Sequence, residues 1–395
     1  MSERKEYTIG EICSRFSSGK SIKASQISAE GLYPVYGGNG LRGFTDTFNF
    51  DGECSIIGRQ GAYCGNVRYF KGKAFMTEHA IVAVVNENHN NGYVSNLLSM
   101  MNLAQYQGQS AQPGLSVSTL SKITIKLPDL ATQEQCFNVL NLIDQKIQIN
   151  NQINQELEDM AKTLYDYWFV QFDFPDQNGK PYKSSGGKMV YNPELKREIP
   201  EGWGVEKLGD VAQFKNGINY EKTSSGSEKV KIINVRNISS STTFINQTDL
   251  DKIFLENDKS TNFIVNEGMI LITRSGIPGA TRLVSELEAK TVYSGFIIAS
   301  EVNDLIYKNL IFYYLKNIEE VLKNQSAGTI MKNISQSVLI DMVISLPPQN
   351  VLLKFNSIID NLLEQMKNVQ KQNQELTQLR DWLLPMLMNG QVKVE

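Results

Sequence analysis

Two stretches of the chain carry apolar residues at helical spacing, and each stretch follows a Leu-Pro pair. From Ala131 to Val170 and from Val351 to Leu384 the sequence contains no Gly or Pro. Apolar residues recur at intervals of four and three, at positions 153, 157, 160, 164 and 167 and again at 362, 366 and 369. This spacing is typical of a coiled-coil seam, which Asn373 would continue with a polar side chain. We therefore predict two long helices.

Pairing between these two helices is one of two interpretations of the spacing. An amphipathic helix packed on its own domain would show a similar pattern. Two such helices at equivalent places in the chain favour pairing with each other. At 1.5 Å rise per residue, each would span about 50–60 Å and act as a spacer.

The segments before the helices show a different pattern, with short β-branched and aromatic runs between Gly and Asn turns. Examples are Ser55–Ile57, Ala80–Val85, Lys231–Val235 and Phe296–Ile298. Runs of this kind predict strands joined by tight turns. We expect two mixed α/β modules, over residues 1–128 and 203–347.

The two modules are related by an internal repeat. Ile125-Lys-Leu-Pro128 recurs as Ile344-Ser-Leu-Pro347, and Asn-Gln-Glu-Leu at 154–157 recurs at 373–376 with the same separation. Upstream, the Arg-Gln-Gly at 59–61 resembles the Arg-Ser-Gly at 274–276, and the Gln-Ser-Ala at 109–111 recurs at 325–327. A repeat of this length predicts one structural unit built twice.

A Gly-, Ser- and Pro-rich stretch from Pro175 to Gly187 separates the halves and is typical of a connecting segment. The predicted organisation is a first module (1–128), a central helix (129–170), a connector (171–202), a second module (203–347), and a C-terminal helix with its tail (348–395). The fold class is α+β.

Composition limits the possible functions. The net charge of −3 argues against a protein that holds nucleic acid by bulk charge alone, although residues 1–127 carry 12 Lys and Arg against 9 Asp and Glu. Two histidines, and four cysteines without a two-residue gap, leave little material for a metal site or a Ser/His/Asp site. The N-terminus lacks the apolar core of a secretory signal, so we expect a cytoplasmic location.

Four strings carry a resemblance to a known family. They are Leu379–Gly390 near the end of the chain, Leu164–Pro175 in its centre, Ile199–Trp203 before the second module, and Tyr33–Gly40 in the first. Together they resemble the specificity subunits of type I restriction-modification enzymes, and the resemblance covers essentially the whole chain.

The resemblance implies two target-recognition modules at opposite ends of an antiparallel coiled coil, each reading half of a split, asymmetric DNA site. It also implies two methyltransferase subunits and a motor-nuclease subunit as partners. S-adenosylmethionine, ATP and Mg²⁺ would then bind to the partners, and this chain would bind no cofactor and hold no catalytic site. Two aromatic clusters could be helix-end core or a docking surface. They are Tyr165, Tyr167, Trp168 and Phe169, and Trp382, Leu383, Met386 and Leu387.

Base edges are read by Arg, Lys, Asn and Gln on loops beside a rigid scaffold. The candidates in the first module are Asn39, Arg42, Arg59 and Gln60, with Lys20 and Lys23 as phosphate contacts; in the second they are Asn219, Arg236, Asn237, Arg274 and Ser275. Arg59 and Arg274 occupy equivalent places in the repeat, so both could instead support the shared scaffold.

Alternative functions are carried by shorter strings. Asp176 with Glu194-Leu-Lys196 fits the carboxylate and lysine pattern of metal-dependent nucleases, but these residues lie in the connector, where we expect no fixed positions. Gly19-Lys-Ser21 resembles the end of a phosphate-binding loop without its leading Gly. Asn192-Pro-Glu194 lacks the second proline expected of an amino-methylating site. A coiled-coil scaffold without DNA specificity is a third possibility.

Overall fold

A computed structural model of the chain describes residues 4–108, 114–220, 226–325 and 333–394. Of the repeated Gln-Ser-Ala triplets, residues 109–111 and 326–327 lie outside the described residues. The chain forms two compact units, the first made of Met1–Ile149 with Gln372–Glu395 and the second of Asn150–Lys371. Both unit boundaries fall inside the long helices, and the predicted five-segment organisation stays a prediction.

The first unit is built on a six-stranded sheet with one buried central strand. The strands are β2 (Cys13–Ser18), β3 (Tyr33–Gly37), β4 (Gly40–Thr45), β5 (Phe50–Gly58), β6 (Val67–Met76) and β7 (Ala80–Val85), after β1 (Lys5–Thr8). Their order in the sheet is β2-β7-β5-β6-β3-β4, antiparallel except for β3 beside β6. Five of the six residues of β7 are buried, as expected for an apolar run covered on both faces.

Helices and one further strand complete this module. They are α1 (Ile9–Ile12), α2 (Asn91–Met100), α3 (Val117–Leu120) and β8 (Thr124–Leu127), which pairs with β1. Each short helix begins at a polar cap. Asn90 accepts the Tyr93 N–H at 2.8 Å, and Thr8 with Glu11 forms a capping box. Tyr93 and Leu98 of α2 are fully buried in the core of the unit, so α2 closes that core.

The second unit contains the same elements in a more divided form. Its strands are β9 (Met189–Asn192), β10 (Arg197–Pro200), β11 (Gly204–Lys207), β12 (Ala212–Asn216), β13 (Glu228–Ile233), β14 (Asp251–Leu255), β15 (Ile270–Thr273), β16 (Thr281–Leu283), β17 (Thr291–Tyr293), β18 (Ile297–Val302) and β19 (Val343–Leu346). Its short helices are α5 (Leu208–Val211), α6 (Val235–Ser239), α7 (Asn257–Ser260), α8 (Lys308–Gln325) and α9 (Gln336–Ile340), which follow the first long helix in the chain.

Strand order confirms the internal repeat. The sheets β12-β18-β15-β16 and β17-β13-β14 follow the order of the six strands in the first unit. β13 runs parallel to β17 as β3 runs parallel to β6, and β11 pairs with β19 as β1 pairs with β8. The ten-residue β6 is replaced by two three-residue strands, β16 and β17, so the single sheet becomes two.

The connector between the modules is folded, contrary to the expectation from its composition. β9 and β10 form a hairpin, and the rings of Phe174 and Tyr182 stack with centroids 4.7 Å apart. The Asp173 carboxylate accepts hydrogen bonds from the Ser184 N–H and hydroxyl at 2.7 and 2.6 Å. The run Met189-Val-Tyr191 followed by Asn-Pro is a sequence signal for a strand and a turn. The prediction overlooked it because it relied on the Gly and Ser content of the preceding residues.

Two long helices span both units. α4 (Leu130–Tyr165) ends in one π-helical turn, Asp166–Val170, and α10 (Gln349–Asn389) continues through Pro385 beyond its predicted end. In the first unit Arg380 of α10 donates to Asp144 of α4 at 3.1 Å; in the second, Phe355 of α10 packs on Trp168. The start of each helix therefore lies beside the end of the other, and the pair is antiparallel.

The buried face of α4 in the second unit differs from the predicted seam. Ile153 and Tyr167 are each 37% exposed and Met160 is 58% exposed. The prediction considered only large apolar side chains, whereas the buried face of the helix also includes the small residue Ala161. The buried positions are Leu157, Ala161, Tyr165 and Trp168. On α10, Leu362 and Met366 are buried as predicted.

Gly217 shows why certain turns of the second unit require glycine. Its N–H donates to the Ile297 carbonyl at 3.0 Å, as Gly19 donates to Ala80 in the first unit. A Cβ on Gly217 would lie 2.3 Å from the Tyr293 carbonyl oxygen and 2.4 Å from that of Ser294. These are backbone atoms on paired segments, so they cannot move aside as a flexible side chain would.

We expect Gly217→Ala to destabilise the second unit by about 1–3 kcal/mol, the usual cost of overpacking. Gly204→Ala is the matched control, since a Cβ there would make only ordinary contacts at 3.8 Å with Leu346. Urea unfolding of both variants measures the difference. Equal midpoints would show that the backbone accommodates the added carbon.

None of the described helices is both long enough and apolar enough to cross a membrane.

Candidate nucleic-acid interface

Several strand ends and turns of the first unit meet at one edge, which we call the first loop edge. It comprises the ends of β2 and β5, the tip of the β3–β4 hairpin, and the turn before β7. The Arg59 N–H donates to the His79 carbonyl at 3.0 Å, and the Lys20 N–H donates to the Met76 carbonyl at 2.9 Å. The polar side chains at this edge include Lys20, Asn39, Arg42, Arg59, Gln60, Arg68 and His79, together with Glu78, whose carboxylate lies 3.5 Å from the His79 ring.

The hairpin tip approaches the neighbouring turns without room for a side chain. A Cβ on Gly38 would lie 3.0 Å from the His79 carbonyl oxygen and 3.2 Å from that of Gln60. Asn39, next in the turn, is exposed, and its amide oxygen lies 3.6 Å from the position of a Cβ on Gly61. The structure therefore brings together Asn39, Arg59 and Gln60, which the sequence predicted separately.

The cations of the first loop edge are free of acidic partners. Among the described residues, Lys20, Arg42, Arg59 and Arg68 form no ion pair with a carboxylate. Away from the edge, three lysines of the same unit are paired: Lys71 with Glu53 at 2.8 Å, Lys73 with Asp51 at 3.9 Å, and Lys126 with Glu6 at 3.1 Å. Unpaired Lys and Arg beside exposed amides are the groups that bind phosphates and base edges.

Sequence reasoning missed Arg68 and His79. The Arg68 guanidinium lies 3.0 Å from the position of a Cβ on Gly40, so it reaches the hairpin. Burial raises the pKa of the Tyr36 hydroxyl, and the positive charge of Arg68 opposes that rise. Arg68 lies within the sequence of a strand, and the strand pattern alone does not indicate that its side chain reaches the loop edge. Thr77-Glu-His79 between two strand runs was a tight-turn signal that could have been used.

Lys23 lies apart from these contacts. It is exposed just before a short 3₁₀ helix, Ala24–Gln26, and its N–H donates to the Gln26 side chain at 3.3 Å. A phosphate contact by Lys23 stays a prediction.

The second unit has a corresponding second loop edge, which comprises the ends of β12 and β15 and the turn before β18. The Arg274 N–H donates to the Phe296 carbonyl at 2.9 Å, and the Arg274 carbonyl accepts the Ile334 N–H. The backbone of Arg59 makes the same two hydrogen bonds in the first unit, to the His79 carbonyl and from the Leu115 N–H. The Arg274 guanidinium donates to the Gly295 carbonyl at 3.1 Å. Arg274 therefore braces the turn before β18 while remaining partly exposed.

Arg236 and Asn237 have structural partners in the second unit. Arg236 donates to Asp249 at 2.7 Å and to Asp251 at 2.8 Å, and the Asp251 hydrogen bond raises the pKa of the guanidinium, with the Asp249 charge acting in the same direction. Asn237 is 2% exposed, and its amide donates to the Asp249 carbonyl at 2.9 Å. Base contact by Asn237 would require it to leave the core.

Asn219 and Ser275 lie near Arg274. Asn219 is exposed and so close to Gly295 that a Cβ there would lie 2.1 Å from the Asn219 amide oxygen. Ser275 follows Arg274 as Gln60 follows Arg59, and it is half-buried. These two residues and Arg274 are polar residues that the described part of the chain places at the second loop edge.

Half of the eight predicted docking residues are buried in the cores. Tyr165, Trp168 and Phe169 are at most 5% exposed, and the Phe169 ring lies 4.6 Å from that of Phe355. Leu387 is 2% exposed in the core of the first unit, and Leu383 and Met386 are half-buried. Tyr167 and Trp382 reach the surface, at 37% and 57% exposure. A docking role stays a proposal, and exposure supports it most directly for Tyr167 and Trp382.

The strings that suggested other chemistry have ordinary structural roles. The Asp176 carboxylate accepts the N–H groups of Asn178 and Lys180 at 2.7 and 2.8 Å, which closes a turn. Glu194 is exposed in the β9–β10 turn, where its N–H donates to Asn192. No cluster of three or more His, Cys, Asp or Glu arranged to hold a metal occurs in the part of the chain that the structure describes.

Comparison with known proteins identifies the family. The fold and its two loop edges define a repeat protein with two equivalent modules. A family model described as the type I restriction modification DNA specificity domain matches residues 1–159 and 200–378. The chain belongs to the specificity subunits of type I restriction-modification enzymes.

Three relatives illustrate the similarity. The type I restriction enzyme MjaIX specificity subunit of Methanocaldococcus jannaschii is 29% identical over 297 residues, 74% of this chain and 66% of that protein. The EcoprrI specificity subunit of Escherichia coli is 40% identical over 146 residues, 36% of each chain. The S subunit from M. genitalium superposes with a TM-score of 0.60 at 16% identity, covering 98% and 96% of the chains. The matches thus span less than two thirds of the first two relatives, and the third shares the fold.

Proposed function

We propose that this chain reads a split, asymmetric DNA site, with one loop edge on each half-site. The observation that carries the proposal is the equivalence of Arg59 and Arg274, which hold the same backbone positions in two modules with different neighbouring side chains. One scaffold with two sets of loop residues is suited to reading two different short sequences. Membership of the specificity family supports the same function.

Charge supports contact with DNA at the first loop edge. The unpaired side chains of Arg42 and Arg68 lie beside Gly37 and Gly40 of the β3–β4 hairpin, where the backbone has no side chain to hold a phosphate away. Phosphate contacts supply affinity and position, and Arg, Asn and Gln on the same edge can read bases. The net charge of −3 is no obstacle, because Lys20 and the arginines of this edge form no ion pair with a described carboxylate.

We also propose that the chemistry belongs to partners. Two methyltransferase subunits and a motor-nuclease subunit would dock on the long helices and module flanks, with exposed Trp382 and Tyr167 as contacts. S-adenosylmethionine, ATP and Mg²⁺ would bind to those subunits in the cytoplasm, and this chain would act without catalysis or a cofactor of its own. The structural role of Asp176 supports this assignment over a nuclease.

Selection from random-sequence duplexes tests the DNA-reading role. The full chain, alone and with its methyltransferase, should enrich one motif of two short elements separated by an unspecified spacer. Enrichment of no motif, or of one unbroken element, would contradict the proposal. Plasmid cleavage by the purified chain with Mg²⁺ would instead support the nuclease alternative.

Single variants should affect one half of the motif each. We expect Arg274→Ala to relax one element and Arg59→Ala the other, each losing about 1–3 kcal/mol if the arginine contacts a base. The two variants serve as controls for each other, because they occupy equivalent positions. A uniform loss on all sequences would indicate phosphate contact or a folding effect.

A further inference from the structure

The two loop edges differ in chemistry although their backbones correspond. The first carries Lys20, Arg42, Arg59 and Arg68, none paired with a described carboxylate. In the second module, Arg236 is occupied by ion pairs with Asp249 and Asp251. Arg274, on the second loop edge, forms no ion pair with a described carboxylate. Its guanidinium donates a hydrogen bond to the Gly295 carbonyl. Within residues 226–325 and 333–394, and up to Tyr220, the second module therefore offers fewer unpaired arginines with which to read guanine.

Apolar side chains are also exposed on the second loop edge, as Leu41 and Tyr63 are on the first, at 51% and 56%. Phe296, in the turn before β18, is 63% exposed, and it occupies the place that His79 occupies in the first module. Ile277, in the turn after Arg274, is 39% exposed. A phenylalanine this exposed does not gain the free energy of apolar burial in the free protein. Contact of Phe296 and Ile277 with an apolar group of a bound partner would bury this surface.

Both side chains stand on fixed backbone. The Phe296 carbonyl accepts the Arg274 N–H at 2.9 Å, and the Ile297 N–H donates to Ser294 at 2.9 Å. The Ile277 carbonyl accepts a hydrogen bond from the Thr273 hydroxyl. A contact made from such positions is geometrically specific, because little side-chain or loop ordering is needed on binding.

Only one apolar group in the major groove distinguishes a base, and that is the C5-methyl of thymine. We propose that the second module recognises thymine through this methyl, with Phe296 and Ile277 as contact residues, while the first module reads with arginine and amide groups. The proposal rests on the proposed DNA-reading function and names the base class of its second half-site.

Uracil, which lacks only the C5-methyl, provides the test. Random duplex pools are amplified with either thymidine or deoxyuridine triphosphate and selected on the full chain with its methyltransferase. Arg59→Ala identifies the half-site of the first module. We expect thymine to be enriched in the other half, and binding to that half to weaken about fourfold for each contacted methyl removed.

Phe296→Ala should give a similar loss on thymine DNA and no further loss on uracil DNA. Leu305→Ala is the matched control, since Leu305 is 76% exposed beyond the opposite end of β18. A split motif insensitive to uracil would overturn the thymine proposal alone. Equal losses by Phe296→Ala on both pools would also overturn it and indicate a wedge between base steps. If no split motif appears in either pool, the DNA-reading function fails as well.

Discussion

Phe355→Ala is expected to lower the free energy of unfolding of the second unit by about 3–5 kcal/mol. Phe355 is fully buried on α10, and its ring lies 4.6 Å from Phe169, 5.8 Å from Trp168 and 6.5 Å from Tyr313. Truncation removes the shared partner of three aromatic rings and leaves a cavity that their rigid shapes fill poorly. The effect is therefore near the upper end for a core substitution.

Tryptophan fluorescence during urea unfolding measures this change. Trp168 and Trp203 lie in the same core as Phe355, whereas Trp382 is already 57% exposed, so the signal mainly follows the second unit. Leu353→Ala is the control, because Leu353 is on the same helix and 56% exposed. We expect its effect to stay within about 0.5 kcal/mol. Similar losses in both variants would contradict the assigned core.

Replacing Arg42, Arg59 and Arg68 together by glutamine is expected to weaken DNA binding by roughly 10²-fold or more. Each arginine that contacts a base contributes about 1–3 kcal/mol, and each phosphate contact adds about 0.9 to the salt slope. The logarithm of the binding constant should therefore depend less steeply on the logarithm of salt concentration, by up to about 2.7 for three phosphate contacts.

The matched control removes the same charge from the same unit at other places. Lys71, Lys73 and Lys126 are each paired with a carboxylate, so their replacement by glutamine removes cations that are already neutralised. Fluorescence titration over a series of salt concentrations compares the two triple variants. If the control loses as much affinity and slope, DNA binding depends on net charge and the first loop edge has no special role.

The repeat and the long helices could be predicted because their signals are local or periodic. The matching Leu-Pro pairs located both helices, and the Arg-x-Gly strings at 59–61 and 274–276 placed two equivalent arginines. Helix spacing was less informative about the seam, because Ala161 occupies a buried position and Met160 an exposed one. A pattern of large apolar residues alone does not distinguish these faces.

Contacts between distant segments could not be predicted from the sequence. Arg68 reaches Gly40 because β3 lies parallel to β6, a pairing between residues some forty positions apart. Arg236 looked like a base-reading residue, but the fold brings Asp249 and Asp251 to it. The exposure of Phe296 depends in the same way on the turn between β17 and β18, where an aromatic residue in an apolar run normally predicts burial.

A methylation map tests the central claim, that each loop edge reads one half of a split site. Single-molecule sequencing compares cells that express the methyltransferase subunits with the wild-type chain, without it, with Arg59→Ala, and with Arg274→Ala. We expect one split motif to be methylated with the wild-type chain, to disappear without it, and to be relaxed in a different half by each variant. A motif that persists without the chain, or that both variants alter in the same half, would contradict the account.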